Sequence, residues 1–327
     1  MRMIASSILA KFRIGGSFAI RHHRRLSSAA GDLIQTGIDE DNGVAILVLN
    51  RPPANSLSME MNEEISRSIK NIEDNYPKVQ SVILASSNPT IFSAGLDIAE
   101  LIAPDPDRLP KFWNSLQQVY IDLYGSRLAT VSCLHGHAPA AGCFLAMACD
   151  YRVMYAGGNV NGRNHVPTIG LNETQLGVAA PPWMGQLLVR TIGFRKAELA
   201  LAMGTLFPSQ SALEIGLVDE IVSFESEQSS NDDDASLQAL LPDKLKDQMM
   251  QQSAVLQRAY TQATRFAKVP PQARVASKML TRSEHLEDMN VKRQNDTDYF
   301  CNFMTQEEVQ CNLRKYVQKL KTKSKKK

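Results

Sequence analysis

An α/β fold is predicted by three features of the chain. Short apolar runs with strand character, at residues 44–49, 79–85, 131–134 and 151–155, are separated by longer polar and apolar stretches. In the first of these stretches the apolar residues recur at helical spacing, and strands alternating with helices indicate an α/β core. From residue 182 onward helical patterns dominate, which adds a helical C-terminal region.

Taken in order, the first strand is residues 44–49, six consecutive apolar residues. Met61, Ile65, Ile69 and Ile72 then place one apolar face on a helix over 57–75. Residues 79–85 and 131–134 read as buried strands with a helix over 109–123 between them, and 151–155 as a further strand. Helices follow over 195–203, 209–215, 244–266 and 272–281. The apolar stretch 131–149 is broken by His135, Gly136, His137 and Pro139, so it suits a buried core and not a bilayer span. Residues 225–236, rich in Ser, Asp, Glu and Asn, read as a solvated surface insertion. The organisation expected is a leader at 1–30, a core at 31–223, a polar insertion at 224–240, and a helical region with a basic tail at 241–327.

The formal charge of +2 conceals a segregation. Residues 1–30 hold six Lys or Arg and no acid, and residues 318–327 hold six Lys and no acid. Removing those twelve from the 36 basic residues leaves 24 against 34 acids, so the body is acidic and its ends basic. The leader alternates Arg with Ser, Ala, Ile and Phe and resembles a mitochondrial transit peptide, which implies the mitochondrial matrix. The alternative reading of those residues is a basic arm. The lysine tail does not finish in Ser-Lys-Leu, so a peroxisomal address is not apparent in it.

Three segments carry the chemistry. Residues 92–98 (Phe-Ser-Ala-Gly-Leu-Asp-Ile) follow a strand, and Gly95 lets the backbone turn or approach a ligand, leaving amides to face an anion. An ordinary loop with Asp97 as a helix cap is the competing reading. Residues 135–143 (His-Gly-His-Ala-Pro-Ala-Ala-Gly-Cys) are small enough for another group to reach the main chain, or for two backbones to pack closely with no ligand. Residues 169–177 (Ile-Gly-Leu-Asn-Glu-Thr-Gln-Leu-Gly) set the carboxylate of Glu173 among apolar residues. Scarce water there would raise its pKa and make it a better proton carrier, although a lone Glu is more often half of a salt bridge.

In this order the three segments resemble the crotonase (enoyl-CoA hydratase/isomerase) family, over nearly the whole chain from about residue 43. The opening Leu49-Asn50-Arg51-Pro52-Pro53-Ala54-Asn55-Ser56-Leu57 and residues 212–222 add to the resemblance. It implies a spiral of β-β-α units, assembly as a homotrimer and an acyl-CoA thioester as substrate. The thioester oxygen is expected between the backbone N–H groups of Leu96 and Ala141, an oxyanion hole in which side chains matter little. Ala141 stands where a glycine is commoner, so the amide is kept while a methyl group is added. Substrate contacts are expected from Ser93, Ala94, Gly95, Leu96, Asp97, Ala141 and Asn172, and CoA contacts from Ala54, Ser56 and Leu57. Asn172 could equally stabilise a turn.

The resemblance also separates hydratase from isomerase. Hydratases of the family carry a second glutamate directly after the cysteine of the small-residue segment, and this chain has Phe144 there. One acid is enough to move a proton, which implies Glu173 as the single base of a 1,3-proton shift converting 3-enoyl-CoA to trans-2-enoyl-CoA, a step of fatty acid β-oxidation. Related dienoyl-CoA isomerases use a further acid across the pocket. Asp150, at an element end, and Glu100, expected to face solvent, do not fill that role. A hydratase or thioester hydrolase, and a non-catalytic acyl-CoA binder, are the alternatives.

Other functions find no support in the residues. Cys133, Cys143, Cys149, Cys301 and Cys311 are odd in number and lack Cys-x-x-Cys spacing, so neither disulfides nor zinc are indicated. The six His residues offer no metal pattern, and His135 and His137 read as flanking their loop. No Walker loop and no G-x-G-x-x-G after a strand is present, and the basic excess lies at the ends and not on a folded face. No cofactor, nucleic acid or membrane insertion is expected.

Overall fold

The computed structural model describes residues 33–160, 163–223, 231–246, 249 and 253–324. The leader at 1–30, residues 224–230 of the polar insertion and the last three lysines lie outside the described residues. A six-stranded sheet runs in the order β1 (Ile34–Asp39), β2 (Val44–Leu49), β3 (Ser81–Ser86), β4 (Ala129–Leu134), β6 (Tyr151–Tyr155) and β11 (Glu220–Val222). Only the β1–β2 pair is antiparallel. A second sheet joins β10 (Phe207–Pro208), β9 (Thr168–Gly170) and β5 (Ala138–Pro139), and β7 (Gly158–Val160) pairs with β8 (Arg163–His165).

Strand periodicity divides the core in two. Along β2, Ala45, Leu47 and Leu49 face one apolar cluster, and Val44, Ile46 and Val48 face another. Val82 and Leu84 of β3 follow the first set, Ile83 and Ala85 the second. Both faces are covered, which explains why these strands read as unbroken apolar runs. The first face packs on α1 (Met59–Asn75), α2 (Leu109–Tyr124) and α3 (Ala141–Ala148), and the second on α7 (Asn231–Leu240) and α8 (Ser253–Ala267). Helix α1 starts where Ser58 Oγ accepts the Met61 amide at 3.3 Å, and it buries Met61, Ile65, Ile69 and Ile72 as its spacing predicts.

The chain after β9 forms α4 (Pro182–Ile192), α5 (Phe194–Met203) and α6 (Ser209–Glu214). After α8 come the 34-residue α9 (Pro271–Met304) and α10 (Glu307–Ser324). The spacing predicted only residues 272–281 of α9. Its buried residues are just Met289, Thr297, Phe300 and Met304, because polar contacts dock the helix. Asp150 receives Lys278 Nζ at 2.9 Å and Arg282 at 2.7 Å, and Asp296 receives the Trp113 indole at 2.7 Å and Gln117 at 2.8 Å. A helix held this way shows little apolar periodicity.

Three expectations are corrected. Glu100 does not face solvent: its side chain is 8% exposed, pairs with Arg108 at 2.7 Å and accepts the Met59 amide. In the described half of the 224–240 insertion, Asn231–Leu240 is a helix whose Leu237 and Leu240 enter the second core cluster. Of the helix expected over 244–266, the start is a short 3-10 turn at Asp243–Leu245, and the part from Ser253 is α8. Strand β1 carried no clear signal, since Gly37 interrupts it. That glycine is required by a close approach, as a Cβ there would lie 1.8 Å from the Leu240 carbonyl oxygen.

Replacing Gly37 by Ala should therefore lower stability by about 1–3 kcal/mol, the range for overpacked sites. The urea unfolding midpoint measures it, and a midpoint equal to that of the parent protein would show that α7 does not press on β1.

Candidate active site

The segment after β3 spends its amides one by one. Phe92 N–H donates to His137 O at 2.9 Å, Ala94 N–H to Ala54 O at 2.9 Å, and Asp97 N–H to Leu57 O at 3.0 Å. The Gly95 amide donates to Ser93 Oγ at 3.2 Å, and Ser93 Oγ–H in turn donates to Asn55 O at 2.7 Å. Among the described residues, no hydrogen bond from the Leu96 amide is found. The chain can leave that donor turned aside because Gly95 has φ +87°.

The second donor arises at a helix start. Ala140 N–H is bound to Gly170 O at 2.8 Å, and the next residue, Ala141, opens α3 with an amide that has no intrahelical acceptor. Ala140 adopts φ 51° and ψ −126°, a conformation that costs a non-glycine residue about 1–3 kcal/mol. A Cβ built on Gly95 would sit 3.1 Å from Ala141 N, so the two donors are neighbours, and a side chain at residue 95 would intrude between them.

Glu173 approaches from the third segment. Strand β9 lies between β5 and β10, and Asn172 then precedes a 3-10 turn, Glu173–Leu176, that stops at Gly177. The residue is half-buried, yet its Oε2 is shut from solvent and, among the described residues, has no hydrogen-bond partner. Burial pushes its carboxyl up to about 7, against a smaller lowering from its own backbone amide. Leu96, Ala141 and Glu173 line one cavity of about 290 Å³.

Of the other residues singled out in the sequence, Ala54, Ser56, Ala94 and Asp97 also line this cavity. Ser93, Gly95, Leu57 and Asn172 do not. Ser93 and Leu57 are fully buried, Ser93 as the brace just described and Leu57 in the core. Asp97 is engaged by Arg51 at 2.5 Å and caps the turn at Ala99, while Arg51 also donates to Ser56 O at 2.9 Å. Phe144 is fully buried against Trp183 and Tyr120, with ring centroids at 5.0 and 6.0 Å, and is not part of the cavity wall.

One residue inside a motif was given no role by the sequence, and one group of site residues lies outside the motifs. Asn55, at φ 49°, holds the Ala54–Leu57 turn by accepting the Arg51 amide and donating to Ser86 Oγ and Phe92 O. Phe300, Met304, Leu313 and Tyr316 close the cavity from α9 and α10. Helices distant in sequence leave no local signal there. Among the described residues, no cluster of three or more His, Cys, Asp or Glu is placed to hold a metal ion, and no helix is long and apolar enough to cross a membrane.

A sheet-bound turn, a strained helix start and a buried glutamate around one apolar cavity define an enzyme site suited to an acyl thioester. The profile described as enoyl-CoA hydratase/isomerase matches residues 39–231, and the chain belongs to that family, the crotonases. It is similar to the protein of Mus musculus named enoyl-CoA delta isomerase 1, mitochondrial, with 35% identity covering 95% of this chain and 94% of that one. The Homo sapiens protein of the same name is 34% identical over 86% of this chain and 82% of its own. The crystal structure of human mitochondrial delta3-delta2-enoyl-CoA isomerase superposes with a TM-score of 0.75 at 32% identity, covering 89% of this chain and 99% of that one. An enoyl-CoA hydratase from Bacillus halodurans reaches 0.67 at 21% identity, a likeness of fold alone.

Behind the site, His137 Nδ1 accepts the Thr168 amide at 3.1 Å, its ring meets His165 edge-on at 4.9 Å, and His135 stacks on Tyr155 at 4.6 Å. Burial holds all three histidines below the usual imidazole range. A histidine whose folded pKa is depressed takes up its proton more readily when unfolded, near pH 6.5, so folding stability is lost as pH falls through that value. Replacing His165 by Asn should therefore raise the thermal midpoint relative to the parent more at pH 5.5 than at pH 7.5. An equal difference at both pH values would contradict the sign.

Proposed function

We propose that the protein isomerises 3-cis- and 3-trans-enoyl-CoA to trans-2-enoyl-CoA in fatty acid β-oxidation, with Glu173 as the sole proton carrier. The observation that carries this reading is the solvent-shut, unpartnered Glu173 Oε2 in the same cavity as the Leu96 and Ala141 amides. With the thioester oxygen between those amides, the carboxylate takes a proton from C2. The C2–H electrons form the C1=C2 bond and the C1=O pair moves onto the thioester oxygen, giving a dienolate whose charge rests there. Each aimed donor contributes about 3 kcal/mol to that charge. On return of the proton held on Glu173, the oxygen pair re-forms C1=O, the C1=C2 pair becomes C2=C3, and the C3=C4 pair takes up the proton at C4.

The bond count balances without water, metal or cofactor. Addition of water needs a second proton-handling group, and the candidate position, Phe144, is apolar and faces the core. That disfavours the hydratase alternative. The names of the relatives support isomerase chemistry and a mitochondrial location. The matrix is the compartment consistent with the basic, acid-free residues 1–30 and with five free cysteines. A homotrimer is consistent with exposed apolar residues on α5, namely Phe194, Leu199 and Met203.

Glu173→Gln should abolish conjugation of 3-hexenoyl-CoA, followed as ultraviolet absorbance, while CoA-ester binding is largely kept. Survival of activity would remove Glu173 from its role. Because the base must be ionised, turnover in the parent protein should fall as pH drops below about 7. The same group has its folded pKa raised, so its ionisation opposes folding as pH rises from its unfolded value toward 7 and beyond. The Gln variant should accordingly unfold at a higher temperature than the parent at pH 8, measured by calorimetry. Light scattering of the purified protein should give three times the chain mass; a monomer mass would reject the trimer.

A further inference from the structure

The cavity that holds Glu173 does not end at its far wall. A second chamber of about 160 Å³ lies beyond it, and the two share Ala179, Pro181, Phe300 and Met304 as lining. Behind these shared residues the chamber is bounded by Trp113, Ala180 and Phe303, with Asp296 and Tyr299 at its outer side. The partition therefore consists of two loop residues and two side chains one helical turn apart on α9.

The two helix residues differ in freedom. Phe300 is 6% exposed and its ring lies 3.5 Å, centroid to centroid, from that of Trp113, at 8° between planes. Trp113 is anchored by its indole bond to Asp296, so the aromatic side of the partition is fixed. Met304 is 4% exposed, is the last residue of α9, and has no ring stack to hold it. Its backbone is pinned, since Gln310 donates to Met304 O at 2.6 Å and to Leu101 O at 2.8 Å while accepting the Ala103 amide at 2.9 Å. A flexible thioether on a pinned backbone can change rotamer without moving the helix.

We propose that Met304 is a movable gate that sets acyl-chain length: tails too long for the first cavity displace its side chain and lodge in the chamber bounded by Trp113, Ala180 and Phe303. This rests on the cavity around Glu173 being the acyl-CoA site. The chamber favours an unbranched apolar tail, because its near walls are Phe, Met, Trp, Pro and Ala, and its one carboxylate, Asp296, already accepts N–H bonds from Trp113, Gln117 and Trp183. Each methylene lodged there should tighten binding about fourfold, the equilibrium equivalent of burying one CH₂ group.

Binding of saturated hexanoyl-CoA and dodecanoyl-CoA by calorimetry tests this without turnover. The parent protein should bind the longer ester at least tenfold more tightly. Met304→Phe, which fills the gate with a stiff ring, and Ala180→Leu, which fills the chamber without touching the gate, should each bring that ratio near one. Met304→Ala should preserve or raise it. Ratios within twofold of the parent in both filling variants, with circular dichroism unchanged, would overturn the gate, as would a parent ratio near one. Failure of either ester to bind the parent at all would instead overturn the reading of the cavity as an acyl-CoA site. In Ala180→Leu, whose residue lines the chamber and not the Glu173 cavity, loss of the ratio with 3-hexenoyl-CoA conversion intact separates the gate from the chemistry.

Discussion

A carboxylate with one oxygen, Glu173 Oε2, shut from water and left without a hydrogen-bond partner among the described residues is the constraint around which the rest of the molecule is arranged. In water a glutamate is a weak base at neutral pH. Shut into the cavity, the Glu173 carboxyl rises to about 7, where the ionised form is both abundant and eager for a proton. Such burial is unfavourable for folding, and the backbone amide of Glu173 in the 3-10 turn offsets only a smaller part of it. The stability must come from the two apolar clusters on either face of the sheet, which are large and almost wholly dry. The same low-polarity surroundings strengthen the two amides that face the carboxylate's cavity, because a dipole acts over a longer range where water cannot screen it.

Three chain segments, each ending a different part of the sheet scaffold, have to meet for this to work. Main-chain bonds join them, Phe92 to His137 and Ala140 to Gly170, and a further one ties Leu57 of the opening motif to Gly95. A network of that kind fixes the donors independently of side-chain rotamers, which would suit the proposed oxyanion hole. Strain at Ala140 and the positive φ at Gly95 are the local consequences of turning two adjacent amides the same way. Helices α9 and α10 then act as the cover, held by Asp150, Asp296 and Gln310 more than by apolar packing.

Much of this was legible in the residues. Strands β2 and β6 were read to the residue because all six positions of β2 are apolar and buried, and β6 carries the buried run Val153, Met154 and Tyr155. The three chemical segments stood out since glycines and small residues mark backbone that must approach something. What was hidden has physical reasons. The length of α9 was hidden because ion pairs, not periodic apolar residues, dock it, and β1 because its glycine serves a contact with Leu240 that is made some 200 residues later. Glu100 looked solvent-bound because its partner, Arg108, is brought to it by a turn and not by helical spacing. The cavity wall from Phe300 to Tyr316 belongs to the tertiary fold alone. Ser93 was marked for the right segment, but its hydroxyl braces the loop from behind and does not reach the cavity.

The most direct measurement is the ionisation of Glu173 itself in the unliganded protein. Selective labelling of glutamate side-chain carboxyl carbons, with Glu173→Gln used to assign the signal, would follow its titration by nuclear magnetic resonance. A single transition near pH 7 is the expected result. A transition near 4.5, the ordinary value for a glutamate, would mean that water or a partner reaches the carboxylate, and the buried base at the centre of the site would not exist.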